Sequence, residues 1–212
     1  QIHDHPIIVS SVFFGVIIAS AFVTRTEVRH WRTSRLVVLV TTLGLTFALL
    51  GIRSGAYENP TPIILIVAGS IAICAMILPG ISGSFILLMI GLYDHLIGAL
   101  DERDFSVLLL YMVGAIIGLA LFSRVLHKLL SRYRDLIVSA LLGLMLGSLR
   151  VLWPWPSNQG GLEDTRLGAP IGEDVVGALV AAMLGAALVV VIVGLMSRYR
   201  DFDVEDALEM ER

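Results

Sequence analysis

A break in the middle of an apolar stretch is the feature that most constrains the fold of this chain. Residues 62–100 are almost continuously apolar, but residues 79–84 (PGISGS, the tip motif) interrupt them at the centre. Proline removes a backbone donor and clashes with the preceding helical turn, and glycine adopts conformations that other residues resist. We therefore predict that a helix ends here. Inside a bilayer such a break is tolerated only where it is buried in protein or lines a wet cavity, which makes it a candidate site.

The composition is that of an integral membrane protein. Of the 212 residues, 57% are hydrophobic and only 16% are charged, whereas soluble domains carry about 25% charged residues. We therefore predict an all-α polytopic membrane protein. The single cysteine, Cys74, excludes an intrachain disulfide and a zinc framework. No sequence pattern indicates a nucleotide, a cofactor, a metal or a nucleic acid.

Apart from the interrupted stretch, the chain contains five apolar segments that are long enough to cross a bilayer. These segments are residues 6–23, 36–52, 106–123, 136–153 and 175–196. We predict five spanning helices plus a broken re-entrant hairpin, residues 62–100, within a single domain, residues 1–200. An acidic tail, residues 201–212, follows that domain. The polar start of the chain lacks the basic region of a signal peptide.

Loop charges predict the topology. Basic residues cluster at 24–35, at 124–134 and after the last apolar segment, and the positive-inside rule places such clusters in the cytoplasm. All three, including the C-terminus, fall on that side only if residues 62–100 enter and leave the membrane on the same face. Each arm of about 16 residues would be about 24 Å long if helical. A re-entrant loop and a pair of short spans both fit this length.

Two local repeats accompany these segments. Residues 131–135 (SRYRD) recur as residues 197–201 at another predicted membrane boundary, where Arg and Tyr are typical interfacial anchors. A weaker echo relates small residues in two segments, Gly15, Ala19 and Ser20 with Gly143, Gly147 and Ser148. Small residues at this spacing favour close helix packing. Because the two segments run in opposite directions in the predicted topology, the echo also fits an inverted repeat.

Several motifs together resemble the bacterial polyprenyl-phosphate transporter family. They are residues 71–85 (IAICAMILPGISGSF), 91–94 (GLYD), 122–124 (FSR), 131–135 (SRYRD), 147–150 (GSLR) and 153–155 (WPW). The resemblance implies a carrier in the bacterial cytoplasmic membrane that returns undecaprenyl phosphate to the inner leaflet for reuse in cell-wall synthesis. It also implies two related halves, each with a Pro-Gly-x-Ser-Gly hairpin. Since this chain has one such motif, we expect the first half upstream of Gln1. A homo-oligomer is compatible with this resemblance.

A carrier of a phosphate-bearing lipid needs hydrogen-bond donors at membrane depth. A helix that restarts after the break would present unpaired N–H groups and the positive end of its dipole. The predicted phosphate-binding residues are Gly80, Ile81, Ser82, Gly83, Ser84 and Arg150. Arginine matches phosphate oxygens in a bidentate manner, although snorkelling to the outer interface is an alternative for Arg150.

Three further charged residues receive predicted roles. Asp94, in the return arm, is a candidate for proton coupling or for an ion pair with an arginine or His95. Arg53 and Arg103 lie near the predicted outer ends of their segments and would attract the lipid headgroup. The alternatives are solvated loop charges for the arginines and a surface helix end for Asp94.

An enzyme and a scaffold or channel are the alternative functions. The tip motif is similar to the Pro-Gly-x-Ser-Arg-Ser hairpin of undecaprenyl-diphosphate phosphatases, but Gly83 stands at the arginine position and no glutamate-rich partner motif is present. Hydrolysis of a diphosphate needs such groups to neutralise charge and activate water, so we predict that the chain is not an enzyme. A scaffold or a channel would need the helix packing but not the anion site.

Overall fold

The computed structural model describes the backbone of residues 6–28, 30–51, 60–155, 168 and 174–210. These residues form helices joined by turns and short extended segments, with no strand among them, which confirms the predicted all-α class for this part of the chain. The helices are α1 (Pro6–Thr24), α2 (Thr33–Leu49), α3 (Pro62–Ile77), α4 (Gly83–Met89), α5 (Tyr93–Asp101), α6 (Phe105–Ser148) and α7 (Asp174–Met210), with a short 3-10 helix at Arg25–Glu27. They form two compact units, one containing α1 and α7 and the other containing α2 to α6.

The prediction of five spanning helices is wrong. Among the described residues, three helical stretches are long and apolar enough to cross a bilayer: Ile7–Glu27, Phe105–Ser148 and Val175–Met196. A fourth is added if α4 and α5, which are bent by 110° relative to each other, count as one broken span.

Two local features explain the difference. α2 has 17 residues, the lower limit for a spanning helix of about 17–25 residues, and is not among the three long apolar stretches. The segments 106–123 and 136–148 meet within α6 at a kink, Tyr133, without an intervening loop, so they form one continuous stretch. Residues 124–134 contain neither glycine nor proline, so nothing in their sequence ends the helix.

α6 is not a straight rod. Tyr133 has φ −131° and ψ 41°, outside the helical region. Cys74 of α3 contacts the carbonyl of Gly118, while Gly80, six residues later in the chain, lies against Met145. A straight helix would separate Gly118 from Met145 by about 40 Å, whereas six residues span at most about 20 Å. α6 therefore bends sharply at Tyr133.

Glycines let α3 pack closely against the first half of α6. A Cβ at Gly114 or Gly118 would collide with backbone atoms of α3 at Ile66 and Ser70, respectively. The Ser70 hydroxyl donates to the carbonyl of Gly114 at 2.6 Å. Such contacts between small residues are typical of membrane helices. Because the contacts advance together along both helices, α3 and this half of α6 are parallel.

α2 packs in the same way against the second half of α6. Gly143 lies against Thr42, and Gly147 lies against Thr46, so the echo at 143–148 serves helix packing. These two helices are also parallel, as the charge-based topology predicts for segments 36–52 and 136–153. The described contacts do not show the inverted repeat.

The two predicted basic loops lie at one end of this unit. Arg35 pairs with Asp135 at 2.8 Å, and Arg134 pairs with Glu27 at 2.5 Å. Residues 24–35 and 124–135 are therefore in direct contact, on the same side of the helices that they connect.

The unit of α1 and α7 contradicts one part of the predicted topology. Gly15 lies against Ala182, and Gly185 lies against Val12, so the two helices are antiparallel. Their C-terminal ends therefore lie at opposite ends of the pair, whereas the loop charges predict that residues 24–35 and the C-terminus share the cytoplasm. The packing of small residues decides this arrangement. α7 continues to Met210, so the predicted acidic tail is helical over residues 201–210.

The glycine contacts of α6 predict a position-dependent effect of adding one methyl group. Gly114→Ala is expected to lower the free energy of unfolding in detergent by about 1–3 kcal/mol, because the methyl group would collide with the carbonyl of Ile66. Gly44→Ala in α2 has no atom within 4 Å of its added carbon and is expected to be neutral or stabilising by up to about 1 kcal/mol. Equal unfolding free energies for the two variants would contradict the packing of α3 on α6.

Candidate functional site

The chain reverses direction at the tip motif. α3 ends at Ile77, Leu78 adopts an extended conformation with φ −80° and ψ 130°, and α4 begins at Gly83. Leu87 of α4 is buried in one cluster with Leu65 and Ala72 of α3. The return arm therefore lies along α3, and the helix break is where the sequence predicts it.

The return arm is shorter than the expected 16 residues. α4 has seven residues and is about 10 Å long, after which Gly91 turns the chain with φ 75°. Leu92 is only 2% exposed, and its carbonyl accepts a hydrogen bond from the Tyr111 hydroxyl at 3.3 Å. This buried turn redirects the chain into α5.

Two glycines allow the tip to pack against its neighbours. Gly80 has φ 85°, a conformation that side chains disfavour. A Cβ at Gly80 would lie 2.7 Å from Ser148 Oγ, and a Cβ at Gly83 would lie 2.6 Å from the Ala72 carbonyl oxygen. The tip is therefore wedged between α3 and the end of α6, with no room for larger residues at 80 and 83.

The tip presents a set of hydrogen-bond donors. The first helical bond of α4 is donated by the Ile86 N–H to the Ser82 carbonyl at 3.1 Å, so the N–H groups of Gly83, Ser84 and Phe85 precede the first intrahelical acceptor. The hydroxyls of Ser82 and Ser84 are 2.8 Å apart, and both residues are exposed. The Ile81 N–H, which the sequence predicts as a ligand, closes the turn by donating to the Leu78 carbonyl at 3.5 Å.

Arg150 is held at the end of α2. Its Nη1 donates to the Phe47 carbonyl at 2.9 Å, and its guanidinium lies 4.7 Å from the centre of the Phe47 ring. A Cβ at Gly51 would collide with the same guanidinium. The arginine thus satisfies a carbonyl in the last turn of a helix, where intrahelical donors are lacking. Ser148 contacts the tip at Gly80. Arg150 therefore lies only two residues after the residue of α6 that touches the tip.

The other predicted charged residues are not brought to the tip. Asp94 is exposed in the first turn of α5, where the helix dipole favours an acid, and His95 lies beside Tyr111. Arg103 is exposed in the turn before α6. The start of α6 is thirteen residues, about 20 Å, from Gly118, where α3 approaches its end. Arg53 lies outside the described residues.

Sequence reasoning did not identify two features of the site. The first is the contact of Ser148 with Gly80. The run of small residues at 143–148 is the only sequence feature that could have indicated this contact. An apolar cavity of about 420 Å³ lies between α3 and the first half of α6. Its lining includes Cys74 of α3, five residues before the tip motif begins, and Phe122 of α6.

Comparison with known proteins identifies related chains. Residues 1–167 match the undecaprenyl phosphate translocase-like family. The chain is 45% identical over 152 residues to a polyprenyl-phosphate transporter of Vibrio cholerae, covering 71% of this chain and 49% of that protein. It is 30% identical over 94 residues to a polyprenyl-phosphate transporter of Staphylococcus aureus, covering 42% of this chain and 33% of that protein. No solved structure matches the chain.

The match extends through the helix break, α6 and the residues around Arg150. The chain spans about half the length of the Vibrio relative and about a third of the Staphylococcus relative by these alignments. With the family match covering most of its residues, this chain belongs to the undecaprenyl phosphate translocase-like family of membrane proteins.

Proposed function

We propose that this chain is the transporting part of a carrier that returns undecaprenyl phosphate, a polyprenyl phosphate, across the bacterial cytoplasmic membrane for reuse in cell-wall synthesis. Family membership and the names of the relatives support this function. The observation that carries it is the chain reversal at residues 78–82, which presents amides and hydroxyls between two packed helices.

The phosphate of the lipid binds at the tip in this proposal. Charged phosphate oxygens accept short, strong hydrogen bonds, and Ser82 and Ser84 supply hydroxyls beside the leading amides of α4. Gly80 and Gly83 let the backbone approach closely, and Ile81 holds the turn. The positive charge of Arg150 attracts the phosphate while its Nη1 holds α2 in place.

The polyprenyl tail follows the apolar cavity between α3 and α6. Cys74, Ile117 and Phe122 are among the residues that line it. Because Cys74 of the cavity lies only five residues before the tip motif, a lipid with its headgroup at Ser82 would extend its tail along this surface. Burying apolar tail surface stabilises the complex by about 25 cal/mol per Å².

The orientation rests on the positive-inside rule. We place residues 24–35 and 124–134, which are in contact, at the cytoplasmic face. The tip then points inward from the outer face. In this orientation Arg53 and Arg103 would attract the headgroup on the outer side, and Asp94 is the proposed coupling or ion-pairing residue.

One structural observation favours transport over hydrolysis. In the phosphatase-like hairpin an arginine would replace Gly83, but here Gly83 is buried against the Ala72 carbonyl and the Met76 side chain. A side chain at this position would displace the return arm. The arginine side chain that would supply the positive charge of a diphosphate-cleaving site therefore does not fit at position 83.

Proteoliposomes distinguish the two functions. A fluorescent polyprenyl phosphate is expected to move between leaflets only when the protein is present, without release of inorganic phosphate. Undecaprenyl diphosphate offered to the same vesicles is expected to remain intact. Release of phosphate from the diphosphate would contradict the carrier function.

The tip hydroxyls are expected to be required for transport. Ser82→Ala combined with Ser84→Ala should lower the transport rate about tenfold or more, because a hydrogen bond to a charged group contributes about 1.5–3 kcal/mol. Ser106→Ala is the control, since Ser106 is exposed in the first turn of α6, twelve residues or about 18 Å along the helix from Gly118. Unfolding temperatures should be equal in both variants. An unchanged rate in the double variant would remove the proposed headgroup site.

Arg150 is expected to contribute to stability as well as to binding. Arg150→Ala should lower the free energy of unfolding by about 2 kcal/mol, because it removes the bond to the Phe47 carbonyl and the contact with the ring. Phe47→Leu keeps the carbonyl and serves as the matched variant. A larger loss of transport in Arg150→Ala than in Phe47→Leu supports the headgroup role, and unchanged unfolding in Arg150→Ala would contradict the geometry.

A further inference from the structure

Besides the apolar cavity, a polar cavity lies at the bend of α6. It has a volume of about 580 Å³ and is lined by Arg35 of α2 and by residues 130–136. Fifteen residues of helix, about 22 Å, separate Tyr133 from Ser148, the residue that contacts the tip. The cavity is therefore separate from the proposed headgroup site, and we name it the bend cavity.

The lining of the bend cavity is positively charged. Arg35, Arg132 and Arg134 face a single carboxylate, that of Asp135. Glu27, which pairs with Arg134, is not part of the lining, and both partners of that pair are about half exposed. A phosphate monoester carries about −1.5 to −2 charges at neutral pH. An anion of this class would balance the excess charge of the cavity.

Arg35 has a buried donor that lacks an acceptor. Its Nη2 binds Asp135 at 2.8 Å, and the arginine side chain is only 18% exposed. Its Nη1 is buried and has no hydrogen-bond partner among the described residues. A buried donor without an acceptor costs about 1–3 kcal/mol, and more when it belongs to a charged group. Arg35 lines the adjoining cavity, so a rotation of its guanidinium toward a phosphate there would remove this cost.

Arg132 is fixed at the wall of the same cavity. Its Nε donates to the Tyr133 hydroxyl at 3.1 Å, and its guanidinium lies 5.5 Å from the centre of the Tyr133 ring. Tyr133 is also the residue at which the helix is interrupted. The cavity lining thus includes one guanidinium held by Tyr133 as well as the ion pair of Arg35 and Asp135.

Interfacial anchoring explains only part of this arrangement. Anchors account for the ion pairs and for the tyrosine, but they require neither a cavity nor a buried donor without an acceptor. We propose that the bend cavity binds a phosphate monoester. Where the proposed function holds, this phosphate is the headgroup of the polyprenyl phosphate at the basic face of the protein. A free phosphate ion shares the same chemistry.

Thiol protection measures occupancy of the bend cavity directly. The 212-residue chain in nanodiscs carries Cys74→Ala together with Ser131→Cys, whose side chain lines the cavity. Ser106→Cys is the matched control, because Ser106 is also exposed on α6 but lines neither this cavity nor the apolar cavity. The reaction rate with a charged maleimide is measured with inorganic phosphate, farnesyl phosphate or farnesol.

Farnesyl phosphate is expected to slow labelling of Ser131→Cys at least fivefold and to leave Ser106→Cys unchanged. Half-protection by farnesyl phosphate at a concentration at least tenfold below that of inorganic phosphate identifies a lipid headgroup site. Equal half-protection by the two identifies a site for the free anion. Protection by farnesol equal to that by farnesyl phosphate, or no protection by either phosphate, would overturn the proposal.

Charge variants test the arginine contacts. Arg132→Gln is expected to raise the half-protecting concentration about tenfold, the effect of losing about 1.4 kcal/mol. Arg124→Gln removes an exposed charge from the same helix outside the lining and should change nothing. Equal values for the two variants would overturn the proposal.

The tip variants separate this proposal from the proposed function. Ser82→Ala with Ser84→Ala is expected to lower the transport rate about tenfold or more but to leave protection of Ser131→Cys intact. If the Ser131→Cys chain with an intact tip shows protection but moves no lipid, the proposed function fails and the bend cavity stands. If the chain moves lipid but shows no protection, the bend cavity fails and the proposed function stands.

Discussion

A helix broken inside a membrane must find partners for its backbone within the protein, and the rest of this structure depends on that constraint. The chain meets it by wedging residues 78–82 between α3 and the end of α6. Gly80 and Gly83 make the wedge possible, because a Cβ at either residue would collide with a neighbour. The same closeness leaves the amides and hydroxyls at the start of α4 as the polar groups at the tip.

The bend of α6 connects this tip to the basic end of the protein. One half of α6 packs on α3 and the other on α2, in both cases through small residues. Tyr133, at the bend, lies beside Arg132 and near the pair of Arg35 and Asp135. The two polar sites therefore lie about 22 Å apart along one helix. In the carrier that we propose, they mark two depths at which a phosphate headgroup is held.

The sequence predicts the tip more reliably than the helices around it. Proline and glycine act on the local backbone, so the break at 79–84 follows from the residues themselves. The continuation of α6 through residues 124–132 and the bonding of Arg150 to Phe47 depend on contacts between distant segments. The antiparallel packing of α1 and α7 likewise follows from glycine contacts and not from loop charges. Only three-dimensional packing determines these features.

The reversal of the chain at the tip brings α3 close to the turn after α4, and a distance between these two segments measures it directly. Ile63 and Ile90 line one small cavity between α3 and the turn after α4. Pulsed electron paramagnetic resonance on spin labels at these two residues, in lipid bilayers and in a Cys74→Ala background, measures their separation. A chain that reverses at the tip predicts a distance below about 20 Å. A distance of about 40 Å, the length of an uninterrupted helix over these residues, would contradict the reversal.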